Sequence, residues 1–179
     1  MFEAPTVPAP IRPDGSYAVT FVCTGNICRS PMADVIARRL FDERGLGEKV
    51  VVTSYGTGGW HVGHGADPRA VAALETHGYD GRPHRARQFD ETLFATYDLI
   101  VVMDASHQEA LQAFAPEETS RARMQFLRQF DPEEPADLDV PDPYYGTDQD
   151  FEDVLVMVER SVSRLVDEVA RTLFSSTDR

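Results

Sequence analysis

Three short β-branched or apolar runs, YAVTFV at 17–22, VVVTS at 50–54 and LIVVM at 99–103, are each followed by a stretch that reads as a helix. This alternation constrains the fold more than any other feature of the chain. In the first unit Val19 and Phe21 share one strand face, Ser30 offers an N-cap, Pro31 suits the first helical position, and Gly45 closes a helix over 31–44. Asp67-Pro68 repeats the cap-and-proline device for a helix ending near Gly78, and a third helix over 105–115 stops before Pro116. The run at 99–103 has no polar residue, as a strand covered on both faces requires. A fourth strand is expected at 124–128, MQFLR. The last helix carries one apolar stripe, Phe151, Val154, Leu155, Val158, Val162, Leu165, Val166, Val169 and Leu173, at the helical period. Strands alternating with helices imply a single α/β domain: a parallel sheet flanked by helices on both faces, with ligands bound at the carboxyl ends of its strands.

The 179 residues suit one domain, taken as 15–175 between a loose Pro-rich tail over 1–14 and a short tail over 176–179. No run of 18 apolar residues occurs and the N-terminus lacks a signal-peptide pattern, so no membrane association is expected. Two cysteines, Cys23 and Cys28, with no leader imply reduced thiols in a cytoplasm. A net charge of −13 argues against nucleic acid as a partner, and it means that any anionic ligand is held by local positive potential.

That local potential is expected at the end of the first strand, where Cys23-Thr24-Gly25-Asn26-Ile27-Cys28-Arg29-Ser30 leads into Pro31. A loop curling from strand to helix turns its backbone N–H groups toward one point, and the helix N-terminus adds to the field. That concavity fits a tetrahedral oxyanion. Gly25 and Asn26 supply the residues that tolerate positive φ. Arg29 offers a planar fork for two phosphate oxygens. A field of this sign favours a nucleophilic thiolate at Cys23, to which Ser30 can donate. Transfer of a phosphoryl group to sulfur also needs an acid for the leaving oxygen. The candidate is Asp142 in VPDPYYG, residues 140–146. Pro143 stiffens the turn, and Tyr144 and Tyr145 can line a slot for an aromatic ring. Residues 131–142 carry six acidic side chains, expected to be mostly solvated loop charge, with Asp139 the alternative acid.

From about residue 17 to 174 the chain resembles the low-molecular-weight protein tyrosine phosphatases, through VCTGNICRSP, the Trp60–Gly63 segment WHVG, and DPYYG. The resemblance implies a four-stranded parallel sheet of order 2-1-3-4. It implies Cys23 as nucleophile, Arg29 as the phosphate-binding and transition-state residue, and Asp142 as general acid and then base. It implies no metal and no cofactor. Asn26, Ser30, Ser54 and His84 match a polar network that braces the loop, and Trp60 matches a residue lining the substrate cleft. Cys28 matches a redox partner that traps oxidised Cys23 as a disulfide. Phosphotyrosine proteins are the implied substrates and inorganic phosphate the product, with the enzyme a cytoplasmic monomer. Two positions depart from the family pattern. Tyr55 replaces a small residue and is expected to alter crowding behind the loop, and His107 stands where asparagine is common, which puts the polar role of that position in question.

Three rivals share parts of this pattern. A thioredoxin-coupled arsenate reductase needs two further cysteines late in the chain, and none follows Cys28. A phosphoarginine phosphatase on the same scaffold tends to carry threonine at the position of Ile27. An inert phosphopeptide-binding module has no need of all three catalytic residues.

Overall fold

The computed structural model describes residues 3–177. Strands β1 (Tyr17–Cys23), β2 (Val50–Gly56), β3 (Leu99–Val102) and β4 (Met124–Phe126) form one parallel sheet in the order β2-β1-β3-β4. Helices α1 (Arg29–Glu43), α2 (Pro68–Thr76), α3 (Ala105–Gln112), α4 (Glu118–Ala122) and α5 (Asp148–Thr177) surround it. The alternation of side chains along a strand separates two cores. Tyr17, Val19 and Phe21 of β1 join Met32 and Ile36 of α1 and the stripe of α5, while Ala18 and Val22 join Phe94 and Leu111 on the other side. All nine stripe residues of α5 are 3 % exposed or less. Each contributes about 1.5–3 kcal/mol by leaving water, which anchors α5 and α1 against the sheet. The order places β1 centrally, between β2 and β3, so its carboxyl end at Cys23 opens at the middle of the sheet edge, in register with Gly56.

Several local expectations differ from the structure. Ser30 does not cap α1. The helix starts at Arg29 with Cys28 at the cap position and no side-chain cap, because the Ser30 hydroxyl turns back to the Cys23 sulfur. The fourth strand ends at Phe126 and tightens into a 3-10 turn, Leu127–Phe130, and the third helix ends at Gln112. A 3-10 turn at Glu91–Ala95 and the short α4 went unforeseen, since neither is long enough to show a period.

The N-terminal segment is not loose over its described residues. Asp98 is fully buried and needs donors. The Ile11 N–H (2.7 Å) and the Arg12 guanidinium (2.9 Å) supply them together with the Ala18 N–H (2.7 Å). Val7 is buried, the Tyr17 hydroxyl donates to the Pro8 carbonyl, and the Gln125 amide donates to the Thr6 carbonyl beside β4. At the other end α5 continues through Thr177, past the expected boundary at 175. Residues 1, 2, 178 and 179 lie outside the described residues. Among the described residues no helix is long and apolar enough to cross a membrane.

Candidate active site

The loop over 24–28 bends between β1 and α1 with Asn26 as its left-handed residue, at φ 56°. Gly25 has no positive φ; its small size instead allows close approach of His61, whose Cδ2 would lie 2.8 Å from an added Cβ. A stricter requirement falls on Gly56 at the end of β2, where an added Cβ would meet the Thr24 carbonyl oxygen at 2.6 Å. Among the described residues, no protein acceptor takes the backbone N–H groups of Gly25, Asn26, Ile27 or Cys28. Four successive free donors on one bend form a receptor for an oxyanion.

Asn26 is wholly buried and holds the loop through its side-chain amide and its backbone carbonyl. Its side-chain amide donates to Ser30 Oγ (2.8 Å) and Ser54 Oγ (3.0 Å), and its Oδ1 accepts the Arg87 N–H (2.9 Å). Its backbone carbonyl accepts from His84 Nε2 (2.7 Å), which assigns the ring hydrogen to that nitrogen. Burial holds the His84 pKa below the ordinary imidazole value, against the pull of the Asn26 carbonyl and Asp34, so the ring stays neutral. Ser54 donates to Asp34 Oδ2 (2.9 Å), and the Arg38 Nε donates to the other oxygen of that carboxylate (2.6 Å). The expected bracing residues thus meet at one point. Asp34 was missed, although it falls in the run RSPMAD directly after the loop.

Cys23 is buried, with its sulfur 2.9 Å from Ser30 Oγ. The single Ser30 hydrogen can face this sulfur or the Tyr55 carbonyl at 3.4 Å; a thiolate takes it at the shorter distance. Burial, with the charges of Asp67, Cys23 and Asp142, pushes the Cys28 thiol far up, so Cys28 stays protonated, and both cysteines are free.

Arg29 is 3 % exposed and is held from several sides. Its Nη1 donates to Asp104 Oδ2 (2.6 Å) and the Val140 carbonyl (2.9 Å), while Nη2 faces Thr24 Oγ1 (3.4 Å) and Asp142 Oδ2 (3.5 Å). Burial opposes the charge on Asp104, but the Ser106 hydroxyl, His107 and Arg29 outweigh it and hold its carboxyl below the usual range. Asp104 was also missed. Its signal is the capping box at the start of α3, where Asp104 accepts the His107 N–H and His107 Nδ1 accepts the Asp104 N–H.

Both departures from the family pattern become clear. The Tyr55 side chain turns to the opposite face of β2 from Ser54, against Phe89 and Tyr97, and so does not crowd the loop. His107 keeps a polar role, with Nε2 2.8 Å from Thr24 Oγ1.

A cleft of about 370 Å³ opens over Cys23, Thr24, Ile27 and Arg29. Trp60, 73 % exposed, and His61 form one side, and Asp142, Tyr144 and Tyr145 the other. Arg69 supports that second side. It donates to the Tyr144 carbonyl (3.0 Å), lies over the Phe151 ring, and is itself held by Asp67. Asp139 instead accepts the Ala105 N–H at the start of α3 and does not line the cleft. Of the acidic run, Asp131 is not solvated at all; it is buried between Arg128 and Arg160.

Comparison with known proteins agrees with this geometry. The family described as low molecular weight phosphotyrosine protein phosphatase matches residues 18–174. A low molecular weight protein-tyrosine-phosphatase of Streptomyces coelicolor is 51 % identical over 84 % of this chain and 92 % of its own. The structure of a protein tyrosine phosphatase from Entamoeba histolytica superposes with a TM-score of 0.82 at 29 % identity, covering 87 % of this chain and 98 % of that one. The YwlE arginine phosphatase, solved with a phosphorylated active-site serine, superposes with a TM-score of 0.76 at 26 % identity, covering 86 % and 96 %. With its sheet order, its Cys23–Arg29 loop and a match across nearly its whole length, this chain belongs to the low molecular weight phosphotyrosine protein phosphatase family.

Proposed function

We propose that this protein hydrolyses phosphotyrosine in protein substrates through a phosphocysteine at Cys23, with Arg29 and Asp142 as its partners in catalysis. The observation that supports the reading is a loop of four N–H groups, unpaired among the described residues, directly after Cys23, whose sulfur is 2.9 Å from Ser30 Oγ. The Cys23 thiolate attacks phosphorus as the bond to the phenolic oxygen breaks, and Asp142 gives that oxygen its proton. Asp142, now ionised, takes a proton from water as the water attacks the phosphocysteine, and inorganic phosphate leaves with the thiolate restored. The loop donors and Arg29 hold the equatorial oxygens throughout. Ile27, Trp60, Tyr144 and Tyr145 line the cleft and offer apolar and aromatic contacts to a phenyl ring, which supports phosphotyrosine over phosphoarginine. A free-thiol nucleophile suits a reducing cytoplasm.

The test is release of phosphate from phosphotyrosine and phosphoarginine peptides by the native protein and by Cys23→Ser. The native protein should favour phosphotyrosine, and the serine variant should bind that peptide without turnover. Turnover by Cys23→Ser near the native rate, or faster release from phosphoarginine, overturns the reading.

A further inference from the structure

Asp142 stands half-exposed on a loop with no helix or strand of its own. On its N-terminal side the chain is pinned at Val140, whose N–H donates to the Met103 carbonyl (2.7 Å) and whose carbonyl accepts from Arg29 (2.9 Å). On its C-terminal side it is pinned by Arg69, which lies outside the cleft. Arg69 Nη2 donates to the Tyr144 carbonyl (3.0 Å) and Nη1 to the Gly146 carbonyl (3.4 Å), while the guanidinium lies 4.4 Å from the centre of the Phe151 ring at the start of α5. The Tyr144 N–H in turn donates to Asp142 Oδ1 (3.1 Å), so the residue that Arg69 holds is the one that orients the carboxylate. Arg69 is itself fixed by Asp67, the N-cap of α2, which accepts from its backbone N–H (2.9 Å), its Nε (3.0 Å) and its Nη2 (2.9 Å). Burial opposes the charge on Asp67, but these bonds outweigh it and hold the carboxyl below the usual range, so the pair is ionised at neutral pH. The Asp67 N–H reaches the other way, to the Ile27 carbonyl of the phosphate loop (2.8 Å). A trans peptide points its carbonyl and its N–H in opposite directions, so this bond also turns the Cys28 N–H, one of the four loop donors, away from Asp67.

We propose that Arg69 is a positioning residue for the general acid: with Asp67 it forms a strut, from Ile27 at one end to Tyr144 and Gly146 at the other, that fixes how Asp142 stands over the phosphate loop. The proposal rests on the reading of Asp142 as the acid. Proton delivery needs the carboxyl within hydrogen-bond reach of the leaving oxygen, and an exposed side chain on an irregular loop keeps that geometry only when its backbone is held. Removing the guanidinium takes the donor from the Tyr144 and Gly146 carbonyls and frees the turn that carries Asp142. Cys23 and Arg29 keep their own partners, Ser30, Asp104 and the Val140 carbonyl. The loss therefore falls on protonation of the leaving oxygen and spares the attack by sulfur.

The experiment measures kcat/KM over aryl phosphates whose phenols differ in acidity, for the native protein, Arg69→Ala, Arg69→Lys, Asp67→Asn, Asp142→Asn and the double variant of Arg69→Ala with Asp142→Asn. Arg69→Ala should lose about tenfold on phenyl phosphate and far less on the most activated ester, a part of what a general acid supplies. Its plot of log kcat/KM against phenol pKa should be steeper than the native one. A merely structural role would lower the active fraction equally for every ester and leave the slope alone. Arg69→Lys, which keeps the charge and one donor, and Asp67→Asn, which loosens the guanidinium, should fall between native and alanine. In the Asp142→Asn background Arg69→Ala should not steepen the slope further, since no proton is left to deliver. Circular dichroism establishes folding, and if Arg69→Ala does not fold, Arg69→Lys and Asp67→Asn carry the test. A native slope in the folded Arg69 and Asp67 variants, or the same steepening with and without the Asp142 carboxyl, overturns the positioning role. A native slope for Asp142→Asn instead overturns the acid reading, and the strut's role with it, so the two failures are seen apart.

Discussion

The Thr24 hydroxyl oxygen lies 2.8 Å from Nε2 of His107, tying the phosphate loop to the start of α3. Nδ1 of the same ring accepts the Asp104 N–H at 3.2 Å, so the neutral ring carries its hydrogen on Nε2 and Thr24 is the acceptor. Arg29 faces the same oxygen at 3.4 Å. The hydroxyl's own hydrogen is then left for the cleft that Thr24 lines.

This arrangement has a pH signature. Burial and the positive charge of Arg29 lower the His107 pKa from 6.5 to about 4, against Asp104 and Asp142. Between these values the unfolded chain binds a proton that the folded one refuses, so stability falls as pH drops from 6.5 to about 4 and this group adds nothing further below. The full difference is about 3 kcal/mol. His107→Asn removes the titration while keeping an amide able to donate and accept. Urea unfolding across this window should give a flatter dependence for the variant. The His84 contribution is common to both proteins and cancels in the comparison. Parallel curves would show that His107 does not titrate there.

Arg29 makes two bonds through Nη1 alone, to Asp104 and to the Val140 carbonyl, while Nη2 remains toward the cleft. A lysine ammonium keeps the charge but cannot hold this fork. Arg29→Lys should lower kcat on aryl phosphates on the order of a hundredfold, corresponding to ~3 kcal/mol of transition-state stabilisation. A near-native rate in steady-state assays would reduce Arg29 to a point charge.

Asp142 lines the cleft, whereas Asp139 is occupied at the N-terminus of α3. Asp142→Asn should therefore slow hydrolysis of phosphotyrosine, a poor leaving group, far more than that of an activated aryl phosphate. Asp139→Asn should leave that ratio at its native value. Rates over a series of phenols of graded acidity measure this, and an unchanged slope for Asp142→Asn moves the acid elsewhere.

Cys28 is buried at the end of the loop and its thiol is kept protonated. Peroxide oxidises Cys23 to a sulfenic acid, reducing peroxide to water. Condensation with the Cys28 thiol then forms the disulfide and releases a second water. The native protein should recover with dithiothreitol, whereas Cys28→Ser should be inactivated irreversibly by the same dose. Mass spectrometry should find a Cys23–Cys28 bond in the inactivated native protein. Equal recovery of the two proteins would leave Cys28 with packing only.

Much of this molecule is legible in one dimension because its signals are local. Helical spacing in α5, the apolar run of β3 and the Cys-to-Arg loop after β1 each depend on neighbours within a few residues, and all three stand in the structure. So do the meeting of Asn26, Ser30, Ser54 and His84, where family resemblance supplied what spacing cannot. The rest depends on partners distant in sequence. Ser30 resembles a cap from its own flanks, but a sulfur seven residues back competes for its hydroxyl. The prolines near the N-terminus resemble a tail, but Asp98 is buried across the fold and needs the donors that segment carries. Asp104, 75 residues after Arg29, becomes its acceptor only because β3 is next to β1. Burial is the physical reason in each case. It strips water from a polar group and forces it to find a protein partner, and which partner lies within reach is decided by the packing of the sheet and helices.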